Sequence, residues 1–160
     1  MPVTEDLETC EARIDALDAC ERHVDAEAAF TPGDDYRPVV NFVVAAAEVL
    51  DPPVGQDRLD DLRLAVTEAC SNAVKVHRSD ALAEPVVVSC HIDGSSVRVD
   101  VHDRGPGFDP DELEPLPEPE DPARLQHEHG LGVQLMGELA DDISFRSEAG
   151  GMVVSLRLRR

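Results

Sequence analysis

The amino-acid sequence predicts a two-layer α+β sandwich, in which helices cover one face of a mixed, mainly antiparallel sheet. Two pairs of alternating apolar segments predict hairpins, and one long apolar stripe at helical spacing predicts the main helix. Aromatic residues make up only 3% of the chain, so Val, Leu, Ile and Ala have to build the core, which suits a sheet packed against helices. A length of 160 residues allows one such core and a short appendage.

The first predicted element is an N-terminal amphipathic helical extension, which occupies residues 1–21. Its helix is predicted over residues 5–21, because apolar residues recur at steps of three and four among acidic neighbours: Leu7, Cys10, Ile14 and Leu17. This extension could cap the domain or form an oligomer contact.

A strand and two helices follow the extension. Alternating apolar residues predict a strand over residues 24–30. A turn around Gly33 leads to a helix that begins near Pro38 and runs to about Leu50, where two prolines stop it. The longest helix is predicted from near Gln56 to about His77, on the evidence of one continuous apolar stripe: Leu59, Leu62, Val66, Ala69, Ala73 and Val76.

Two hairpins flank a segment of different composition. Residues 86–92 and 97–101 alternate on either side of a turn and predict the first hairpin. Residues 109–129 contain five prolines and many acidic side chains, which leaves no apolar face to pack and predicts a mobile lid. A helix over residues 130–140 and a second hairpin around Gly150 complete the predicted order.

Charge and cysteine usage restrict the class of protein. The formal net charge of −20 disfavours direct contact with nucleic acid or an anionic membrane, because both need cationic surface. No signal segment opens the chain, and the longest apolar stretch is too short to span a bilayer, so a cytoplasmic location is predicted. Four cysteines without a C-x-x-C pair predict free buried thiols rather than a zinc site or a disulfide framework.

Glu68 and Asn72 are four residues apart on the longest helix, so both side chains project from one flank of it. A carboxylate in that position can accept a proton from a hydroxyl that attacks a phosphoryl group. An amide oxygen is a suitable hard ligand for Mg²⁺. Taken alone, such a pair is more often solvated helix surface.

Two glycine motifs follow in the sequence. In the first, Asp103 ends a strand and could accept the amine of adenine, while Gly105 and Gly107 let the backbone pass close to the purine. In the second, Gly130-Leu131-Gly132 opens a helix, where free N–H groups and the helix dipole favour phosphate. Each motif alone is compatible with an ordinary turn.

The order of the three motifs resembles the N, G1 and G2 boxes of the GHKL (histidine-kinase-like) ATPase superfamily. The stretch from Leu62 to Val74 resembles in particular the bacterial anti-sigma-factor serine/threonine kinases. The resemblance covers about residues 22–160 and implies a Bergerat, or histidine-kinase-like, ATPase domain there, with an ATP lid at about residues 109–129.

The resemblance also implies one Mg-ATP site and a set of roles. Glu68 would be the general base toward a partner's Ser or Thr hydroxyl, Asn72 the Mg²⁺ ligand and Asp103 the adenine contact. The glycines would form the floor beneath the base and the phosphate-side turn: Gly105 and Gly107 for the first, Gly130, Leu131 and Gly132 for the second. Family members form homodimers, sequester a sigma factor and phosphorylate a STAS-domain antagonist, so these protein partners are expected here.

The sequence departs from the family pattern in two places. The family often has a histidine four residues after the asparagine, where this chain has Val76, and the histidine is displaced to His77. The lid is acidic and proline-rich with Arg124 as its only Lys or Arg, which favours an exposed loop arginine over a phosphate contact.

Several other features have simpler interpretations. The run His127-Glu128-His129 lacks a third metal ligand nearby. Cys70 is interpreted as a buried inert thiol rather than a redox switch. The C-terminal arginines alternate with leucines and are predicted to form the solvent face of an edge strand: Arg157, Arg159 and Arg160.

Two other functions stay open at this point. One is a nucleotide-responsive protein that holds a regulator without turning over ATP. The other is an ATP hydrolase or conformational clamp of the wider superfamily, which a chain of this length disfavours. A complete sensor histidine kinase is disfavoured because no phosphoacceptor-histidine helix is detectable.

Overall fold

A computed structural model of the chain describes residues 13–14, 24–48, 50, 54–93, 96–107, 111, 128–148 and 150–159. Three helices lie within these ranges: α1 (Arg37–Ala47), α2 (Gln56–Ser79) and α3 (Glu128–Leu139). Six strands accompany them: β1 (Arg13–Ile14), β2 (Val24–Phe30), β3 (Val86–Ile92), β4 (Ser96–Asp103), β5 (Asp142–Glu148) and β6 (Gly151–Arg159).

The six strands form one sheet in the order β1-β2-β3-β4-β6-β5. Every strand pair in the described ranges is antiparallel, so the antiparallel sheet is confirmed and the parallel component of the predicted mixed sheet is not found there. The register places Ala28, Val88, Val101 and Val154 in one row across four neighbouring strands. All four side chains are buried, which makes this row the floor of the core.

The helices cover one face of the sheet, as predicted. Strand β3 alternates between buried and half-buried residues along its whole length, as expected for a sheet with one covered face. Val43 of α1, Leu62 and Val66 of α2 and Met136 of α3 are at most 1% exposed. Burial of each aliphatic side chain contributes roughly 1.5–3 kcal/mol, so these contacts stabilise the packing of the two layers.

Helix boundaries follow local chemistry. Pro38 lies in the first turn of α1, where its missing N–H costs no hydrogen bond. α1 ends at Ala47, three residues before the predicted end at Leu50. α2 carries Asp57 in its first turn and His77 and Arg78 in its last, so the charges of Asp57 and Arg78 match the helix dipole.

The structure differs from the prediction at the N-terminus. Arg13 and Ile14 form a short strand, not a helix, and pair with Glu27 and Ala26 of β2. The reason is non-local, because the free edge of β2 offers unpaired backbone donors and acceptors that the periodicity of the segment itself does not register. The remainder of the predicted helix over residues 5–21 lies outside the described residues, and the boundary between residues 21 and 22 stays a prediction.

The opposite face of the sheet is polar. His91 Nδ1 lies 2.6 Å from Asp25 Oδ1, and the Ser155 hydroxyl donates to Asp100 Oδ1 at 2.6 Å. Arg157 and Arg159 are exposed on β6, but β6 lies between β4 and β5, so the predicted edge position was wrong because strand order depends on contacts remote in sequence. None of the described helices is long and apolar enough to cross a membrane.

Candidate functional site

Glu68 and Asn72 lie half-buried in the middle of α2, and the backbone of α3 passes directly over them. A Cβ atom built on Gly132 would lie 3.2 Å from Asn72 Nδ2, and it would overlap Glu68 Oε1. Such contacts are tighter than nearly all real Cβ contacts, so a side chain at position 132 would have to displace the Glu68 carboxylate. The structure therefore brings the first and third predicted motifs together.

Asn72 Oδ1 is buried, and no hydrogen-bond donor reaches it in the part of the chain that the structure describes. More than nine in ten buried polar groups are hydrogen-bonded, and an unpaired one costs about 1–3 kcal/mol. An amide oxygen left open at this cost is a suitable ligand for a hard cation. The observed environment of Asn72 thus fits the metal-ligand role that the sequence suggested.

Asp103 is the last residue of β4 and is 9% exposed. Its Oδ1 atom accepts a hydrogen bond from the Gly105 N–H at 2.8 Å, which fixes the plane of the carboxylate. Among the described residues no donor is recorded for Oδ2. The carboxylate is therefore oriented by its own loop while one oxygen stays available to a ligand.

Gly105 and Gly107 are required for two different reasons. A Cβ on Gly105 would overlap Val76 Cγ1 of α2, so this position allows a close approach of the loop to the helix. Gly107 has a φ of +75°, in the left-handed region that side chains disfavour, and it lies over Met152 of β6. The first glycine joins the loop to α2, and the second turns the chain away from the sheet.

The third motif lies inside α3. The helix begins at Glu128, two residues before the predicted start, so Gly130 is in its first turn and Gly132 in its second. The first four N–H groups of a helix have no intrahelical acceptor, which leaves the Gly130 N–H available for an anion. Leu131 is helical in backbone, and its side chain lies outside the described residues.

α2 joins the parts of the site along its length. Asn72 faces α3, and one turn later Val76 and His77 contact the loop after Asp103. From Glu68 to Val76 the helix rises about 12 Å at 1.5 Å per residue. The candidate site is thus arranged along α2, with a carboxylate and an unpaired amide oxygen near its middle and the Asp103 carboxylate near its C-terminal end.

Two features could not have been placed from local pattern alone. In the sequence His77 stands out only as a displaced histidine, yet its side chain is completely buried and contacts the Asp103 loop. Lys75, the only lysine of the chain, lies exposed three residues after Asn72. A single lysine in a chain of net charge −20 is unusual. This composition alone could have indicated Lys75 as a candidate anion contact.

Some predicted features lie outside the described residues. Most of the predicted lid, with Arg124, is among them, as is His127, while the helix already includes Glu128 and His129. No group of three or more His, Cys, Asp or Glu side chains able to hold a metal ion occurs in the ranges that the structure does describe.

Cys70 and Cys90 are free thiols buried in the core. Burial raises the pKa of each from its ordinary value of 9.0 to about 12, because a thiolate loses its hydration there. Nearby Asp100 and Asp25 add a smaller contribution at Cys90. The inert-thiol interpretation of Cys70 agrees with this environment, since the thiolate is the reactive form.

Comparisons with known proteins give a consistent picture. Residues 31–158, which include all three motifs, match the model of a family described as the histidine kinase-like ATPase domain. A serine-protein kinase RsbW from Bacillus velezensis is 34% identical over 97 residues, covering 59% of this chain and 61% of the relative. An anti-sigma F factor from Clostridium acetobutylicum is 30% identical over 109 residues, covering 68% of this chain and 73% of the relative.

A further similar protein is the serine-protein kinase RsbW of Bacillus subtilis, which is 33% identical over 98 residues. That alignment covers 59% of this chain and 61% of the relative. This chain therefore spans about three fifths of the length of these RsbW relatives.

Proposed function

Because this chain belongs to the histidine kinase-like ATPase domain family, we propose that the residues arranged along α2 bind Mg-ATP and that the protein transfers the γ-phosphoryl group to a serine or threonine of a partner protein. The observation that carries the proposal is the open Asn72 Oδ1, buried one turn from the Glu68 carboxylate. Unpaired buried side-chain atoms are uncommon in folded proteins, and of the three in the described residues only Asn72 Oδ1 lies beside Glu68.

At the phosphate end, Asn72 Oδ1 holds the magnesium ion, which supplies positive charge to the phosphates when bound. Glu68 accepts the proton of the attacking hydroxyl as its oxygen forms the bond to the γ-phosphorus and the bond to the ADP oxygen breaks. The close backbone of Gly132 limits how far the Glu68 carboxylate can move. The N–H groups at the start of α3 and the exposed Lys75 offset part of the phosphate charge.

At the base end, Asp103 recognises adenine. Its Oδ1 is engaged by Gly105, so Oδ2 accepts the exocyclic amine. A carboxylate accepts this amine and repels the carbonyl oxygen that guanine presents at the same place. Asp103 therefore gives the site preference for ATP over GTP.

The protein partners follow from the relatives' names together with the charge of this chain. The relatives are a serine-protein kinase and an anti-sigma F factor. By extension, this cytoplasmic protein binds a sigma factor as an anti-sigma factor, phosphorylates a STAS-domain antagonist and acts as a homodimer. A net charge of −20 supports regulation through proteins rather than through direct contact with nucleic acid.

The test is calorimetric titration of ATP in the presence and absence of Mg²⁺. Wild type and Asn72→Ala are compared with Asn41→Ala, the chain's only other asparagine, which is exposed and pairs with Arg63. Magnesium-dependent binding should be lost in Asn72→Ala and kept in Asn41→Ala. Equal binding by all three proteins would refute the Asn72 assignment.

The kinase step is tested separately by [γ-³²P]ATP transfer to a STAS-domain protein, with Glu68→Gln as the variant. Loss of transfer with ATP binding retained would support Glu68 as the base. Wild-type protein that binds Mg-ATP but transfers no phosphate would instead support the nucleotide-responsive regulator-binding protein.

A further inference from the structure

Outside the three motifs, His77 is the most deeply buried polar side chain of the described residues. It lies in the last turn of α2 and is completely buried. We propose that His77 is a positioning residue, whose ring fixes the Asp103 loop in the geometry that recognises adenine. This inference rests on the proposed nucleotide site and adds a determinant of base selectivity to it.

Both ring nitrogens of His77 have backbone partners. The Arg104 N–H lies 2.9 Å from Nε2, and because an amide N–H only donates, Nε2 must be the acceptor. The Glu84 carbonyl lies 3.1 Å from Nδ1, and because a carbonyl only accepts, Nδ1 must carry the proton. The two contacts together define the neutral Nδ1–H tautomer, with neither nitrogen left for acid–base catalysis.

The amide that His77 holds belongs to the peptide between Asp103 and Arg104. The carbonyl of the same peptide is closely packed on its other side, since a Cβ on Gly151 of β6 would overlap it. One residue further on, Gly105 lies against Val76 and donates to the Asp103 carboxylate. The ring therefore acts on the backbone that sets the direction of the Asp103 side chain.

Adenine recognition depends on that direction. A hydrogen bond weakens steeply once donor and acceptor are misaligned, so a freed Arg104 amide lets the loop rotate and weakens the contact that separates adenine from guanine. Simple loss of stability has a different signature, because it lowers the affinity for every nucleotide by the same factor.

Two polar substitutions test the hydrogen bonds of the two His77 ring nitrogens separately. His77→Gln can keep an acceptor near the Nε2 position, whereas His77→Asn can keep only the donor near the Nδ1 position. The readout is the ratio of the ATP and GTP dissociation constants from calorimetry, with thermal unfolding midpoints measured in parallel. His91→Asn, on the open face of the sheet, is the matched control.

We expect His77→Asn to lose about tenfold in ATP/GTP discrimination, the size of one well-made hydrogen bond, and His77→Gln to keep most of it. His91→Asn should leave the ratio unchanged. Equal ratios in the two His77 variants, with only the unfolding midpoints altered, would overturn the positioning role.

The wild-type protein provides an independent check that needs no folded variant. Long-range ¹H–¹⁵N correlation spectra should show His77 as the Nδ1–H tautomer, and an Nε2–H ring would contradict the proposal. A wild-type chain that fails to bind ATP at all would refute the nucleotide site itself, which is a different result from a selective site that His77 does not influence.

Discussion

Glu68 Oε1 occupies the space that a side chain at position 132 would fill. The carboxylate at the centre of α2 and the backbone of α3 are thus packed against each other without an intervening side chain. The position of the Glu68 carboxylate therefore depends on the spacing between α2 and α3.

Gly132→Ala should therefore disturb both stability and nucleotide binding. The new methyl group has to displace the Glu68 carboxylate, which is the end of a flexible side chain, so the cost lies at the low end of overpacking, about 1 kcal/mol. Urea denaturation and ATP calorimetry measure the two effects. Gly137→Ala on the same helix is the control, because its Cβ would have only an ordinary contact, 3.9 Å from Ile143, and should be neutral or gain about 0.5–1 kcal/mol. Equal behaviour of the two variants would contradict the close packing.

Gly107→Ala should destabilise the protein through backbone strain. The φ of +75° at this residue costs an L side chain about 1–2 kcal/mol. Gly33→Ala serves as the comparison, since nothing lies within 4 Å of its Cβ position and its φ is outside the positive range. Chemical denaturation should give a lower free energy of unfolding for Gly107→Ala alone, and a similar value for both variants would argue against strain at Gly107.

The buried thiols should be unreactive in the folded protein. In a Cys10→Ser, Cys20→Ser background, Ellman's reagent at pH 8 should detect Cys70 and Cys90 only after urea is added, because burial keeps both thiols protonated and inaccessible. Rapid modification without urea would show that the core opens readily.

The same thiols predict a pH dependence of stability. Their folded pKa of about 12 exceeds the ordinary 9.0, so the folded state binds protons more tightly than the unfolded state. The stabilisation is complete below pH 9 and is lost as the pH rises from about 9 toward 12. Replacing both cysteines with alanine should flatten the alkaline part of the stability profile measured by urea denaturation between pH 8 and 11.

Arg58→Ala should loosen the far end of α3. Arg58 near the start of α2 contacts Asp141 at 2.6 Å and Asp61 at 3.1 Å, and it donates to the Leu139 carbonyl at 3.4 Å. These partly exposed contacts are worth about 0.2–1 kcal/mol, and amide hydrogen exchange in α3 should quicken. Arg37→Ala, which breaks a more exposed pair with Asp35, should change nothing measurable. Unaltered exchange in Arg58→Ala would remove the proposed link.

The sequence correctly predicted the helices and strands whose own apolar residues repeat at a helical or strand spacing. The stripe along α2 and the alternation in β3 and β4 gave the right elements, since burial on one face imposes the same spacing on sequence and structure. The strand at Arg13–Ile14 could not be predicted in this way, because its partner is the edge of β2. The internal position of β6 was missed for the same reason, as strand order is a property of distant contacts.

In the candidate site, too, some features could be predicted from local sequence and others depend on distant contacts. The residues of the three motifs could be named from chemistry and order, but the proximity of Gly132 to Glu68 and the burial of His77 depend on how α2 packs against its neighbours. His77 in particular follows Val76 at the end of an apolar stripe, where pattern alone does not separate a core histidine from a ligand.

Because α2 is one continuous helix, an insertion or a deletion within it would affect both ends of the site in this chain. One inserted residue between Asn72 and Val76 would rotate everything after it by about 100°, so that His77 could no longer meet Arg104 while Asn72 faced α3. In this chain the interval from Glu68 to His77 therefore has to keep its number of residues for both contacts to form, whereas a substitution within it leaves the helical phase unchanged.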